Sequence, residues 1–300
     1  MIEDSPPVRG VRVPDLEPAT LYDACRDLLS RYEEALLDAD RAVVLPDARY
    51  PHHPSTGMVT DPATVQAILR ALEALAGDVP TTLAIASGSR VDSDQVARYL
   101  GYDDVAERTG ARLISTEYEP AVDRTVSVGA RGVRVSIPEP LDEALVLNVP
   151  TLRLARATTI AGAMVNLSRP TEYADVSTGP GIAAAVSALS PTITVLDGTY
   201  AFVGEPHEAR AILASGDPVS IDRAITAALG IDPSKESYLR ITGGMEDVNV
   251  AGLSIERLAE ELPEGAMPER DDAHPLLRAG YRAYAKVSGD AVPPQMMEDN

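Results

Sequence analysis

Acidic and histidine side chains are the groups in this chain whose types and neighbours could do chemistry. Asp197 closes the apolar run Thr192–Leu196 and is followed by Gly198. An acid at the carboxyl end of a parallel strand faces the crevice where α/β sheets take their ligands. The same Asp-Gly pair also suits a plain turn in which the carboxylate accepts from its own downstream backbone. Asp217-Pro218 reads as a helix cap with proline in the first turn. Asp222 then falls inside that helix among apolar residues, either facing solvent or buried with a partner. His52 and His53 lie in a proline-rich loop with Asp47. Adjacent histidines can ligate a transition metal, or be incidental in a loop, and no HExxH-type third ligand accompanies them.

Other signals are weaker or absent. Ser87-Gly88-Ser89 after a strand resembles a turn whose backbone N–H groups meet an anion. It lacks the GxGxxG pattern and the P-loop lysine, and no GxSxG elbow is present. Cys25 is the single cysteine, which excludes an intrachain disulfide, a CxxC zinc site and an iron–sulfur cluster held by this chain alone. It sits on an apolar helix stripe and reads as a buried core thiol. No reaction class follows from these residues.

The elements that must position them are legible from periodicity. Residues 20–38 predict an amphipathic helix, with Leu21, Cys25, Leu28, Leu29, Tyr32 and Leu36 on one face and Thr20 and Asp23 opening a capping box. Ala42–Leu45 predicts a strand that runs into the loop Pro46–Thr60. Asp61 caps the next helix with Pro62 at its first position, and Val65, Ile68, Leu69, Leu72 and Leu75 form its buried stripe. Further strands are expected over Thr81–Ala86, Arg112–Ser115, Leu145–Val149 and Thr192–Leu196, with helical signals over 94–109. Between 124 and 137 the period changes to two around Gly129-Ala130-Arg131-Gly132, which predicts a β-hairpin beside the main layer. The alternation implies an α/β fold: a mostly parallel sheet with helices on both faces and an accessory β-hairpin. Residues 1–19 are expected to form an N-terminal arm, 20–262 a single α/β domain, and 263–300 an acidic C-terminal extension whose last part is disordered.

Composition narrows the partners. The 300 residues carry 46 Asp plus Glu against 26 Lys plus Arg, a net charge of −20, and only Lys235 and Lys286 are lysines. No basic stripe exists to neutralise phosphates along a nucleic acid. There is no tryptophan and one phenylalanine, Phe202, so the core must be built from Ala, Val, Leu and Ile with some Tyr. Such side chains bury little area each. Concentrated salt screens the self-repulsion and strengthens apolar burial, so the chain reads as halophilic, of haloarchaeal type, the alternative being an acidic protein from a high-GC organism. No apolar window approaches the length of a membrane span, and Met1-Ile2-Glu3-Asp4 lacks a basic signal region. The expectation is a cytoplasmic protein that touches neither membrane nor nucleic acid.

From Ala42 to about Leu262 the chain resembles the family called domain of unknown function 362, whose members are often described as iron–sulfur-associated. The resemblance rests on Val195-Leu196-Asp197-Gly198, Gly204-Glu205-Pro206, the run Ile212 to Asp222 and Gly230-Ile231-Asp232-Pro233, in family order. Gly243–Gly252 is similar to the family's ending. The departures are specific. The family's Lys-Pro-Asn is Leu45-Pro46-Asp47 here, its Pro-x-Leu-Lys-x-His is Pro150-Thr151-Leu152-Arg153-Leu154-Ala155, and its Lys-Asn is Val165-Asn166. The chain thus looks like a divergent member without the cysteine cluster and without several family lysines. Arginine is a poor stand-in where a lysine must lose its proton. The resemblance implies a small anionic or metal-associated ligand at the strand ends, with Asn166, Asp197 and Asp222 lining the pocket and Asp47 and His53 supplied by the long loop. Asp197 and Asp222 would share a divalent cation, and no intrinsic iron–sulfur cluster is expected. The alternatives are a non-catalytic scaffold or regulatory paralogue, and a redox protein working with a separate ferredoxin.

The charge argument has a direct readout. Lowering potassium chloride from about 1 M to about 0.1 M lengthens screening from roughly 3 to 10 Å. The thermal unfolding midpoint should fall steeply between those buffers, and an unchanged midpoint rejects the halophilic reading.

Overall fold

In the computed structural model, the described residues are 8–86, 91–173, 178–190, 192–244 and 248–267. The strands are β1 (Val8–Arg12), β2 (Ala42–Pro46), β3 (Thr81–Ile85), β4 (Arg112–Ser115), β5 (Ala121–Val128), β6 (Arg131–Pro138), β7 (Leu145–Val149), β8 (Thr151–Arg153), β9 (Glu172–Tyr173), β10 (Thr192–Phe202), β11 (Pro206–Ser215) and β12 (Val250–Ala251). The helices are α1 (Pro18–Leu29), α2 (Glu33–Leu37), α3 (Pro62–Ala76), α4 (Ser93–Leu100), α5 (Tyr102–Thr109), α6 (Ala163–Ser168), α7 (Thr178–Ala188), α8 (Pro218–Ala228), α9 (Ser237–Ile241) and α10 (Ile255–Glu261).

The main sheet runs β12-β1-β11-β10-β7-β2-β3-β4, with β8 continuing beside β10. All its pairings are parallel except those of β11 with β1 and β10. Every residue of β2 and β7 is buried, the mark of parallel strands covered on both faces. Val44, Leu83 and Leu147 pack with the stripes of α1, α3, α4 and α5 on one face. Val43, Leu45 and Val146 point the other way, onto α6, α7 and the hairpin strand β6. The period-two segment is that hairpin, and β9 pairs with it to make a separate three-stranded antiparallel sheet.

Local structure departs from the sequence reading in five respects. The first helix begins at Pro18 rather than Thr20, with Glu17 at the cap position and no side-chain cap, because proline already fits the first helical turn. It breaks after Leu29 into a 3₁₀ turn before α2. The helical stretch 94–109 is split at Gly101, whose φ of +78° ends α4 and turns the chain into α5. Part of the N-terminal segment is sheet, since β1 pairs antiparallel with β11. Finally, β10 does not stop at Leu196 but runs on to Phe202 through a register shift between Gly198 and Tyr200. No helix among the described residues is long and apolar enough to cross a membrane.

The loop 46–60 is closed by reciprocal bonds. Thr60 N donates to Asp47 O at 2.9 Å, Asp47 N donates to Thr60 Oγ1 at 2.9 Å, and Thr60 Oγ1 donates to Val149 O at 2.6 Å. Buried Tyr102 donates its hydroxyl to Thr60 O at 2.7 Å. Gly57 sits at φ +66°, and a Cβ there would lie 2.4 Å from the Ala201 carbonyl carbon in β10. A side chain would meet both left-handed backbone strain and a clash with backbone. Gly57→Ala should cost more than about 2 kcal/mol, combining a strain of roughly 1–2 kcal/mol with the displaced contact. Chemical denaturation checks this, and a loss within about 0.5 kcal/mol would show that the loop is not pinned there.

Candidate functional site

Chain order defines where a ligand crevice should open. From β2 the chain lays down β3 and β4 to one side, then returns to place β7 against the opposite edge of β2. Connections leaving β2 and β7 therefore go opposite ways, and the gap outside their carboxyl ends is the topological switch point of the sheet.

Asp47 is the first residue past β2 and lies at that point, fully buried. Its backbone N–H donates to Val149 O at 3.0 Å, tying it to the end of β7. One carboxylate oxygen accepts from Arg153 in β8, at 3.0 Å from Nη2 and 3.3 Å from Nε, with Thr151 Oγ1 at 3.4 Å. The other accepts from Nη1 of Arg169, which follows α6. Burial alone would raise the pKa of this carboxyl, but the two guanidiniums outweigh it and hold the group down at about 2. The Arg153 and Arg169 side chains are only 5% and 9% exposed. The Nη2 of Arg169 is buried with no hydrogen-bond partner. Arg49 is exposed as a residue, yet its guanidinium is partly desolvated, and this together with the like charges of Arg169 and Arg153 lowers its pKa against the opposing pull of Asp47. His52, stacked at a tilt on Tyr50 with ring centroids 4.9 Å apart, is pushed down to about 4 by burial and by Arg153. It is neutral at pH 7.

Asn166 lies one layer behind. Its amide donates to Leu45 O at 3.1 Å and to Asn148 Oδ1 at 2.8 Å, and Asn148 donates to Ala163 O at 3.0 Å. Asp222 closes the other end of α6, accepting from Ala163 N at 2.5 Å and Met164 N at 3.2 Å. A Cβ on Gly162 would sit 2.0 Å from the Asp222 carboxylate, so only glycine permits this approach. Asp222 is thus buried with partners. Burial pushes it up to about 7 against those two amides, with Glu236 and Asp217 adding repulsion. The short helix is fixed at its start by Asp222 and just past its end by Asp47.

Asp197 accepts from Thr199 N at 3.0 Å, Thr199 Oγ1 at 2.7 Å and Asp61 N at 2.7 Å. The first of these is the downstream-backbone bond of the turn reading, made here inside a continuing strand. The third holds the start of α3. Burial and the nearby Asp61 push Asp197 up to about 6. Exposed His53 caps the 3₁₀ turn Pro54–Thr56 by accepting from Ser55 N at 3.3 Å. Asp217 caps α8, accepting from Val219 N and Ser220 N. Cys25 is buried, and its thiol is pushed well up by burial.

Of the five candidate residues, the fold sets Asp47 at the switch point and Asn166 directly behind it. Asp197 and Asp222 are held by separate sets of donors with no hydrogen-bond partner in common. Among the described residues no group of three or more His, Cys, Asp or Glu could hold a metal ion. Ser87-Gly88-Ser89 lies outside the described residues. Sequence reasoning passed over Arg49 and Arg169. Their signal was scarcity, because cations in so acidic a chain are few, and Arg169 directly follows a helical segment and precedes a proline.

Among known proteins, the family described as Domain of unknown function (DUF362) matches residues 43–227, a span that includes Asp47, Arg49, Arg153, Arg169 and Asp222. No curated protein and no solved structure matches the chain.

Removing one partner of a buried ion cluster leaves the others uncompensated, at a cost of about 3–5 kcal/mol. Asp47→Asn should lose stability of that order at neutral pH. The depressed pKa stabilises the fold above the unfolded-state value near 3.8, and this contribution disappears as pH falls through about 2. The gap between native protein and variant, measured by denaturant unfolding, should therefore narrow below about pH 4. A gap independent of pH would mean that the ion pairs contribute nothing.

Proposed function

We propose that this chain, which belongs to the domain of unknown function family DUF362, binds a small anionic ligand in the crevice outside the carboxyl ends of β2 and β7. The observation that carries this reading is the buried Nη2 of Arg169, a charged donor with no partner. Leaving such a group unmatched costs on the order of 1–3 kcal/mol or more, so its presence at a topological switch point calls for an acceptor that is supplied by a ligand. Arg153 adds positive charge beside Asp47, the charge of Arg49 acts on the same group, and neutral His52 can donate or accept nearby.

Each side chain then has a role in the proposal. Asp47 positions Arg153 and Arg169, and Arg169 and Arg49 meet the ligand. Asn166 and Asp222 hold α6, and through it Arg169, while Asp197 anchors the start of α3 beside the closed loop. An anion is favoured over a shared cation because Asp197 and Asp222 already accept from backbone amides on separate networks. It is favoured over a ligand-free scaffold because the orphaned donor of Arg169, unlike those of Arg223, belongs to a guanidinium already held beside the switch point by Asp47.

A thermal-shift screen of phosphates, carboxylates and nucleotides at constant ionic strength tests the proposal. At least one anion should raise the unfolding midpoint saturably, as expected for a ligand that binds only the folded state. Arg169→Met should abolish that rise. If every anion shifts native protein and variant equally, the effect is salt alone and the reading fails.

A further inference from the structure

We infer that the anion taken by Arg169 at the switch point is a single halide ion, chloride under ordinary conditions. This rests on the anion-binding reading and deepens it by naming the class of ligand.

The charge that burial leaves unmatched is a single one. Arg153 and Arg169 bring two guanidiniums, which do not lose their protons in proteins. Both side chains are almost wholly buried, and both pair with Asp47, which is fully buried and returns one negative charge. One positive charge is left over in a place sheltered from water, and a monoanion matches it. Arg49 is left out of this sum. Among the described residues no hydrogen bond or ion pair joins it to the other three, and it is an exposed residue, open to screening by salt. His52 is neutral at pH 7 and leaves the sum unchanged.

The donors call for an acceptor of one atom. Arg153 spends Nε and Nη2 on Asp47 and Thr151. Arg169 spends Nη1 on Asp47, which leaves its buried Nη2 as a donor without a partner. A carboxylate or a phosphate set against that nitrogen brings two or three charged oxygens. One of them would meet Nη2, and the rest would be buried with no donor of their own, which is costly. A halide puts its whole charge on one atom and accepts from any direction, so a single guanidinium nitrogen serves it. Water would satisfy the donor too, but would leave the positive charge unmatched. A halide bound here stabilises the fold by mass action, separately from the screening of the −20 charge.

Thermal unfolding of the full chain near neutral pH tells those two effects apart. Potassium chloride replaces potassium gluconate stepwise at a constant total of about 1 M, so that screening does not change. Gluconate is a bulky carboxylate, unsuited to a donor closed off from solvent. The midpoint should rise saturably with chloride, and likewise with bromide, as for a ligand that binds only the folded state. In Arg169→Met the half-saturating chloride concentration should be at least about tenfold higher, the factor for one lost charge-assisted hydrogen bond. Chloride NMR on the native protein keeps the test open should that variant fail to fold. Exchange with the bound ion should broaden the line, and added bromide should narrow it by competition. A midpoint that stays level as chloride replaces gluconate overturns the halide, and so does broadening that persists undiminished in Arg169→Met. A larger saturable rise from acetate or methyl phosphate, lost in Arg169→Met, overturns the halide while sustaining an anion site. If no anion acts through Arg169, the broader reading falls with it.

Discussion

The architecture around the strand ends depends on how one buried carboxylate is balanced. Asp47 sits at zero exposure where β2 ends, and its two oxygens reach two guanidiniums from segments far away in the chain. A lone carboxylate in that position would be neutralised by a raised pKa, and lone guanidiniums would be expelled to water. Together they are compatible with burial, and the cluster joins β2, β8 and the end of α6 at the switch point. Replacing such a cluster by apolar groups can be neutral or stabilising, so packing energy alone does not explain why it is there. The anion-binding reading proposed above accounts for it, since the cluster then holds Arg169 for a ligand.

The other buried acids solve the same desolvation problem by different means. Among the described residues Asp197 and Asp222 form no ion pair and instead accept from backbone amides, Thr199 N and Asp61 N in one case and Ala163 and Met164 N in the other. Amide dipoles compensate less than a full charge, so both groups titrate high while Asp47 titrates low. Their pH linkage has the opposite sign. They favour the fold most when protonated, below their unfolded value near 3.8, and that contribution is lost as pH rises through about 6 and 7. Each accepts from the backbone at the start of a helix, Asp197 at α3 and Asp222 at α6.

Small aliphatic side chains suffice for the core because sheet geometry interleaves them. Val43, Val44 and Leu45 alternate between the two faces, and each face meets a complete helical or hairpin layer. Buried hydroxyls and amides such as Thr60, Asn148 and Asn166 then fix which element meets which, a specificity that a uniform Ala, Val and Leu interior does not provide by itself.

What the sequence determined by itself was a set of features governed by near neighbours. The apolar runs at Ala42 and Leu145 are strands because parallel strands buried on both faces need no polar alternation. Asp61-Pro62 and Asp217-Pro218 start helices because cap and first-turn chemistry lie within three residues. The hairpin at 121–138 follows from a local period of two. Tertiary structure alone decided that β1 enters the sheet, that β7 lies on the far side of β2 from β3, and that Arg169 reaches Asp47 across 122 residues of chain. The reason is physical. Caps and periodicity are set by backbone geometry over a turn or two, whereas compensation of a buried charge depends only on what stands within a few ångströms in space, and no spacing along the chain encodes that distance.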